Sequence, residues 1–288
     1  MTAIRCQPLA SFRPGYPLDG YYNDLSRFAR SNHRRLSVAT NPVTVAQIGL
    51  GAWQLAANEP EWLHVVGRAT RWLIGRMTPA GLLPYELPMG HTYRLDPPWF
   101  SAMAQGEAAS LLLRGATALR TSELRDAAIK AITCLTESGT DLVAATPDGP
   151  VLQEYPTAPP VHVLNGWIFA LWGLYDVAAA GSGQVAARAR SAFDEGVTAL
   201  ARRLWMYGLE GGWSRYDLRP DGPVNVASPF YHHLHIQQML ALSRLVDDPV
   251  FASTAVAWQR AWRSPRTVAI AAGRKLRFRH HHHRGVLG

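Results

Sequence analysis

The chain has 288 residues, 48% of them hydrophobic and 17% charged, which is enough apolar mass for one sizeable core and too little charge for a disordered polyelectrolyte. Its formal charge of +8 is carried by arginine, since Lys130 and Lys275 are the only lysines, and guanidinium forks point to an anionic partner. Two distant cysteines, Cys6 and Cys134, exclude a disulfide framework and a cysteine zinc site, and the apolar run Gly166 to Tyr175 is too short to span a bilayer.

Met1 to Tyr22 has no apolar core and is broken by Pro8, Pro14 and Pro17, so no signal peptide is read there and a cytoplasmic location is expected. Residues 1–40 are assigned to an N-terminal extension. From there a polar amide opens an apolar helix four times, at Gln47, Gln105, Asn165 and Gln237. Each is followed by a second helical pattern: Trp62, Val65, Ala69 and Trp72; Leu124, Ala128, Ala131 and Leu135; Val185, Ala189, Ala192, Val197, Leu200 and Leu204; Phe251, Ala255, Trp258 and Trp262. Pro60 and Pro249, behind Glu59 and Asp247-Asp248, mark starts for the first and last of these.

Long loops at 78–102, 139–163 and 207–231 separate the hairpins, and long loops on a rigid scaffold carry function. All three repeat one design, a Gly followed by Tyr beside an acid: Gly81 to Tyr85-Glu86, Gly149 to Glu154-Tyr155-Pro156, and Gly212 to Tyr216-Asp217. Hairpins in a ring would bring these loops to one mouth. The expected fold is therefore all-α, a partial α/α toroid over residues 41–263 with β-hairpin-like loops lining one cleft, an irregular helical bundle being the alternative. Residues 264–288 are expected to be a basic, disordered tail, and the His280 to His283 run within it lacks fixed geometry for a metal.

Positioned acid and phenol groups serve proton transfer, and Glu154-Tyr155 sits in a Pro-locked loop just before an apolar helix. Tyr231-His232-His233-Leu234-His235 opens the fourth hairpin, where Tyr231 could face the cleft with His232 or His235 orienting it, or the histidines could be structural. In Trp213-Ser214-Arg215-Tyr216-Asp217-Leu218-Arg219 an aromatic platform with arginines suits a sugar face and a uronate carboxylate, unless Trp213 and Tyr216 close the loop on the core. No GxSxG, P-loop or dinucleotide fingerprint stands in the required context, so no nucleotide chemistry, nucleic-acid partner, cofactor or metal is expected.

Six ordered stretches, Trp99-Phe100-Ser101-Ala102-Met103-Ala104-Gln105-Gly106, Glu154-Tyr155-Pro156-Thr157, Val163-Leu164-Asn165-Gly166, Leu174-Tyr175-Asp176, Tyr216-Asp217-Leu218-Arg219 and Tyr231-His232 with His235, give the chain its resemblance. Together they resemble the C-terminal catalytic domain of the D-glucuronyl C5-epimerases that act on heparosan and heparan sulfate precursors. That resemblance covers about residues 40–263 and implies an α/α barrel that inverts C5 of D-glucuronate in a polysaccharide to L-iduronate. It further implies catalytic Glu154, Tyr155 and Tyr231, with Arg219, Tyr216 and Asn165 around the substrate; Gln105, His235, Trp213 and Tyr85 are further candidates for substrate contact. Phe100 departs from the family, whose animal members have Tyr in that motif and carry a membrane anchor and a β-rich N-terminal portion with a calcium site; a homodimer could complete the groove.

Inverting C5 removes a proton alpha to a carboxylate and returns one from the other face, with an enolate dianion between unless a cation neutralises the carboxylate. Arg219 is the expected cation, Glu154 with Tyr155 serves one face and Tyr231 the other. A nearby arginine should lower the phenol and burial should raise the acid. A uronate lyase, which shares the first step, and a noncatalytic polysaccharide-binding protein are the rival expectations.

Overall fold

The computed structural model describes residues 20–90, 92–137 and 140–284; Cys6 and the prolines of the first segment lie outside them. Four helical hairpins follow one another: α2 (Pro42–Ala56) with α3 (Leu63–Arg76), α4 (Ala102–Ala118) with α5 (Glu123–Thr136), α6 (Leu164–Ala180) with α7 (Gly183–Arg203), and α8 (Pro229–Leu245) with α9 (Pro249–Trp262). Their starts are chemically marked. Asn41 accepts from the Thr44 amide ahead of Pro42, Ser101 from Ala104, Ser228 from Tyr231 ahead of Pro229, and Asp248 from Val250 ahead of Pro249. Pro60 instead opens a short 3-10 turn, Pro60–Trp62, that leads into α3.

The first helix of each hairpin forms the inner ring, α2 beside α4, α4 beside α6 and α6 beside α8, while α3, α5, α7 and α9 back them from outside. Inner α4 and α6 are buried almost all round, with Trp167, Phe169 and Trp172 among the fully buried side chains, whereas the outer helices bury one stripe. At the α4–α6 crossing the backbones touch: a Cβ on Gly173 would fall 2.3 Å from the Gly106 α-carbon, so both positions need glycine. The expected toroid is thus built from the expected hairpins. The fourth amide differs, since Gln237 lies within α8 and contacts His233, and its neighbour Gln238 is the buried one, donating to the Asn165 carbonyl.

The loops pair as short ladders. In the first, Tyr85 bridges Trp99 and Met89 bridges Leu95. In the second, β1 (Val143–Thr146) and β2 (Gly149–Leu152) form an antiparallel hairpin, and β3 (His162–Val163) pairs antiparallel with β4 (Asp217–Leu218) of the third loop, Val163 opposite Asp217. That pairing fastens the second loop to the third.

The ends of the chain differ from expectation. The N-terminal segment is part of the core: Tyr21 and Tyr22 are buried, Tyr22 stacks on Trp172 at 4.4 Å, and α1 (Ser26–Asn32) packs on α2. Behind it the fully buried Arg114 pairs with Asp176 at 2.5 Å and donates to the Gly20 carbonyl at 2.6 Å, while the Tyr22 hydroxyl donates to Asp176 at 2.6 Å. A buried ion pair survives only when such bonds replace the lost water. The basic segment expected as a disordered tail is instead α10 (Pro265–Arg284). Its stripe of Val268, Ala271, Lys275 and Phe278 faces the protein, with Ala271 and Phe278 buried and arginines outward. The His280 to His283 run closes that helix.

No helix among the described residues is long and apolar enough to cross a membrane.

Candidate active site

A cleft of about 1010 Å³ opens at the loop end of the ring, bounded on one side by α1 and on the other by the loops and the starts of α6 and α8. Of the expected residues it gathers Glu154, Tyr155, Asn165, Tyr231 and Tyr85, with Trp99, Met89 and Gln47 beside them. They come from the first and second loops and from the inner helices α2, α6 and α8, so the ring brings together residues distant in sequence.

Glu154 and Tyr155 occupy a bend after β2, not an extended strand, and the Thr157 amide closes it by donating to the Tyr155 carbonyl at 2.9 Å. The two adjacent side chains consequently converge, and the Tyr155 hydroxyl comes near enough to the Glu154 carboxyl for each to shift the other's titration. Glu154 lies against the start of α6 at Gly166, and its Oε2 is buried without a hydrogen-bond partner. Burial pushes this carboxyl up to about 7, opposed by the Tyr155 hydrogen bond and helped by Asp217. It therefore changes charge near neutral pH, as a general base should.

The phenols behave opposite to expectation. Tyr155 is held well above the usual phenol range by burial and the Glu154 charge, and Tyr231 is also raised by burial and Glu154, with its Tyr216 hydrogen bond opposing. No guanidinium lowers either one, so both stay neutral at working pH. Tyr231 is positioned by Tyr216, whose ring meets it edge-on at 4.7 Å.

Tyr155 is wedged in an aromatic stack that sequence reasoning missed. Tyr93 lies on it at 4.4 Å and Trp99 touches it at 6.0 Å, with Tyr85 stacked on Trp99 at 3.8 Å. The Tyr93 hydroxyl donates to Asp217 at 2.5 Å, and the Asn225 amide donates to the same carboxylate oxygen at 2.8 Å. Asp217 was visible only as part of a motif; Tyr93 carried no signal beyond its place in the first loop.

Five expected substrate contacts stand elsewhere, Tyr216 being buried behind Tyr231 and not in the cleft lining. Gln105 is fully buried and spent on backbone, accepting from the Leu83 amide and donating to the Gly81 and Ala131 carbonyls, so it staples the first loop to α5. Trp213 stacks on His232 at 3.9 Å and donates to the Ala227 carbonyl, which closes its loop on the core. His235 is fully buried, its Nδ1 2.9 Å from the Ser214 hydroxyl that also lies 2.8 Å from His232 Nδ1; neither histidine orients Tyr231. Arg219 donates to the Thr92 carbonyl at 3.3 Å with its guanidinium over Tyr93 and Phe278, which puts the Tyr93 ring between it and Tyr155.

The guanidinium groups that do line the cleft, Arg27 and Arg30, come from α1. Arg30 is engaged with Glu59, while Arg27 is exposed and makes no ion pair among the described residues. A seven-residue helix shows no period from which this wall could be read.

His232, His235 and Asp217 thus serve packing or the aromatic stack, while Glu154, Tyr155 and Tyr231 line the cleft. The family model of the D-glucuronyl C5-epimerase C-terminus matches residues 79–260, which include all three. A D-glucuronyl C5-epimerase of Caenorhabditis elegans is 29% identical over 212 residues, covering 68% of this chain and 34% of that protein, so the chain spans about a third of its relative's length. Among solved structures, an unsaturated glucuronyl hydrolase from Bacillus sp. GL1, described as responsible for the degradation of glycosaminoglycan, has a TM-score of 0.53 at 17% identity over 86% of this chain and 66% of that one. That likeness is one of fold, the α/α toroid. With the family match covering well over half of the residues, the chain belongs to the family defined by the C-terminal region of the D-glucuronyl C5-epimerases.

Proposed function

We propose that the protein inverts C5 of D-glucuronate residues in a heparosan-like polysaccharide, giving L-iduronate. The observation that carries this reading is a buried carboxyl poised near 7, Glu154, sharing a cleft with a neutral phenol, Tyr231, from another hairpin. Ionised Glu154 takes the C5 proton, and the C–H electron pair moves into the uronate carboxylate as an enolate. Neutral Tyr231 then gives its proton to C5 from the opposite face. In the reverse direction the roles exchange, and both groups reset through solvent. Tyr155 lies against Glu154 and favours its ionised, proton-accepting form.

The enolate dianion needs a cation or donors near the uronate carboxylate. Arg27 and, through its Nδ2 amide, Asn165 are the groups of the cleft suited to it. Arg219 acts at one remove, by backing Tyr93. An anionic polymer suits the net charge of +8, and steering by arginine predicts affinity that falls with salt.

Incubation with heparosan in deuterated water tests the proposal. Deuterium at C5 together with new iduronate is expected. A product with the ultraviolet absorbance of an unsaturated uronate would replace the epimerase by a lyase, and binding with no exchange would leave a polysaccharide-binding protein.

A further inference from the structure

The helix α10 lies outside the matched residues 79–260, yet one of its side chains reaches behind both walls of the cleft. Lys275 is half-buried, and its ammonium donates to Asn225 Oδ1 at 2.6 Å. Asn225 passes the constraint on by donating to Asp217 at 2.8 Å, and Asp217 fixes the hydroxyl of Tyr93, the ring stacked on Tyr155. The same ammonium lies 5.4 Å from the centre of the Tyr216 ring, which meets the Tyr231 ring edge-on at 4.7 Å. Two routes therefore leave one nitrogen, one ending on each proposed proton-transfer face.

We propose that Lys275 is a positioning residue that sets the placement of Tyr155 and Tyr231 together. A charge-assisted bond fixes the Asn225 amide so that its NH2 points at Asp217, and Asp217, accepting from both Asn225 and Tyr93, holds Tyr93 where it can stack. A cation over the Tyr216 face adds a second restraint. Holding an ammonium here is costly, since burial with Arg279 and Arg219 pushes it down to about 8 against the help of Asp217. The arginines that flank it on α10, Arg274 and Arg277, are exposed and border a shallow pocket with Leu209, Pro223 and Val226 instead of reaching Asn225. Basic character alone does not account for this lysine.

This inference rests on the proposed epimerase reading for its kinetic test, and a spectroscopic arm keeps the two separable. Lys275→Met preserves length and packing while deleting the charge, so kcat for C5 exchange is expected to fall about ten- to a hundredfold with KM nearly unchanged, as for displaced reacting groups. Lys275→Arg should recover part of the loss and Arg274→Ala none of it should incur. Asn225→Ala removes the middle link and should copy Lys275→Met, the double variant costing no more than the larger single. Should the wild-type protein exchange nothing in heparosan, the epimerase reading fails, and near-ultraviolet circular dichroism then tests the positioning alone: Lys275→Met and Asn225→Ala are expected to change the tyrosine band with the far-ultraviolet spectrum intact. Unchanged kcat, or an unchanged tyrosine band in both variants, overturns the proposal, as does an equal loss in Arg274→Ala.

Discussion

Glu154 lies so close against Gly166 that a Cβ there would fall 2.3 Å from its Oε2. The first turn of α6 is thus the floor on which the carboxyl rests. Gly166→Ala should push Glu154 off its bend while the helix itself, which favours alanine by about 1 kcal/mol, remains formed. Turnover is expected to fall at least about a hundredfold, the effect of misplacing a reacting group by about an ångström. Helical content by circular dichroism should hold, and a fully active variant would show that Glu154 is not needed where it lies.

Glu154 carries the pH dependence. Raised to about 7 by burial, it is protonated below that value and ionised above it. If it is the base, kcat/KM rises with pH through about 7, and Glu154→Gln removes both that limb and most turnover, about 10²- to 10⁴-fold for a lost general base. A pH–rate profile of both proteins checks it.

Tyr231→Phe deletes one hydroxyl and keeps the ring that meets Tyr216 edge-on. Folding and polymer affinity should be nearly intact and inversion lost. Exchange of the C5 proton without inversion would locate the loss on the second face. Tyr155→Phe should cost about tenfold or more, because the ring keeps its stack on Tyr93 while Glu154 loses its donor.

Arg27 and Arg219 separate by kinetics. Arg27→Ala should raise KM, flatten the salt dependence and also lower kcat, because the exposed guanidinium lines the cleft and is proposed to face the enolate. Arg219→Ala should lower kcat with KM and the salt dependence nearly unchanged, because its contact is with Tyr93 and not with the cleft. Steady-state kinetics at two ionic strengths would expose the opposite pattern.

Glu107 offers a stability test. Fully buried near Glu154, with Gln47 donating to one oxygen, it is held well above the ordinary carboxyl value of 4.5, chiefly by burial. Above that value the unfolded chain has released the proton while the native state keeps it, so stability falls as pH rises. Glu107→Gln does not pay this cost. Its melting temperature should gain on the wild type from about pH 5 upward, and a gap that stays constant with pH would contradict the assignment.

The hairpins were legible because the outer helices keep a clean 3.6-residue stripe and Pro, Ser and Asp mark the starts. That Glu154, Tyr155 and Tyr231 share one cleft was legible through their motifs. What failed has a common cause, that a polar side chain in a sequence does not announce its partner. Gln105 finds three backbone groups, His235 finds Ser214, and Trp213 finds His232, so residues with ligand-like chemistry became structure. Flanking arginines diluted the apolar stripe of α10 below notice. The bend at Glu154-Tyr155 was hidden because Pro156 restricts its neighbour without fixing the direction of the chain.

The buried Arg114–Asp176 pair has a consequence for where the protein can be cut. A shortened chain beginning at residue 41 would follow the boundary suggested by helix patterns, and would strip Arg114 of the Gly20 carbonyl and Asp176 of the Tyr22 hydroxyl. Each missing bond leaves a buried polar group unsatisfied at about 1–3 kcal/mol. The scission that removes Arg27 and the far wall of the cleft is then also one that loosens α4 against α6. Substrate grip and mechanical integrity share a single seam, and a chain trimmed for convenience would forfeit both at once.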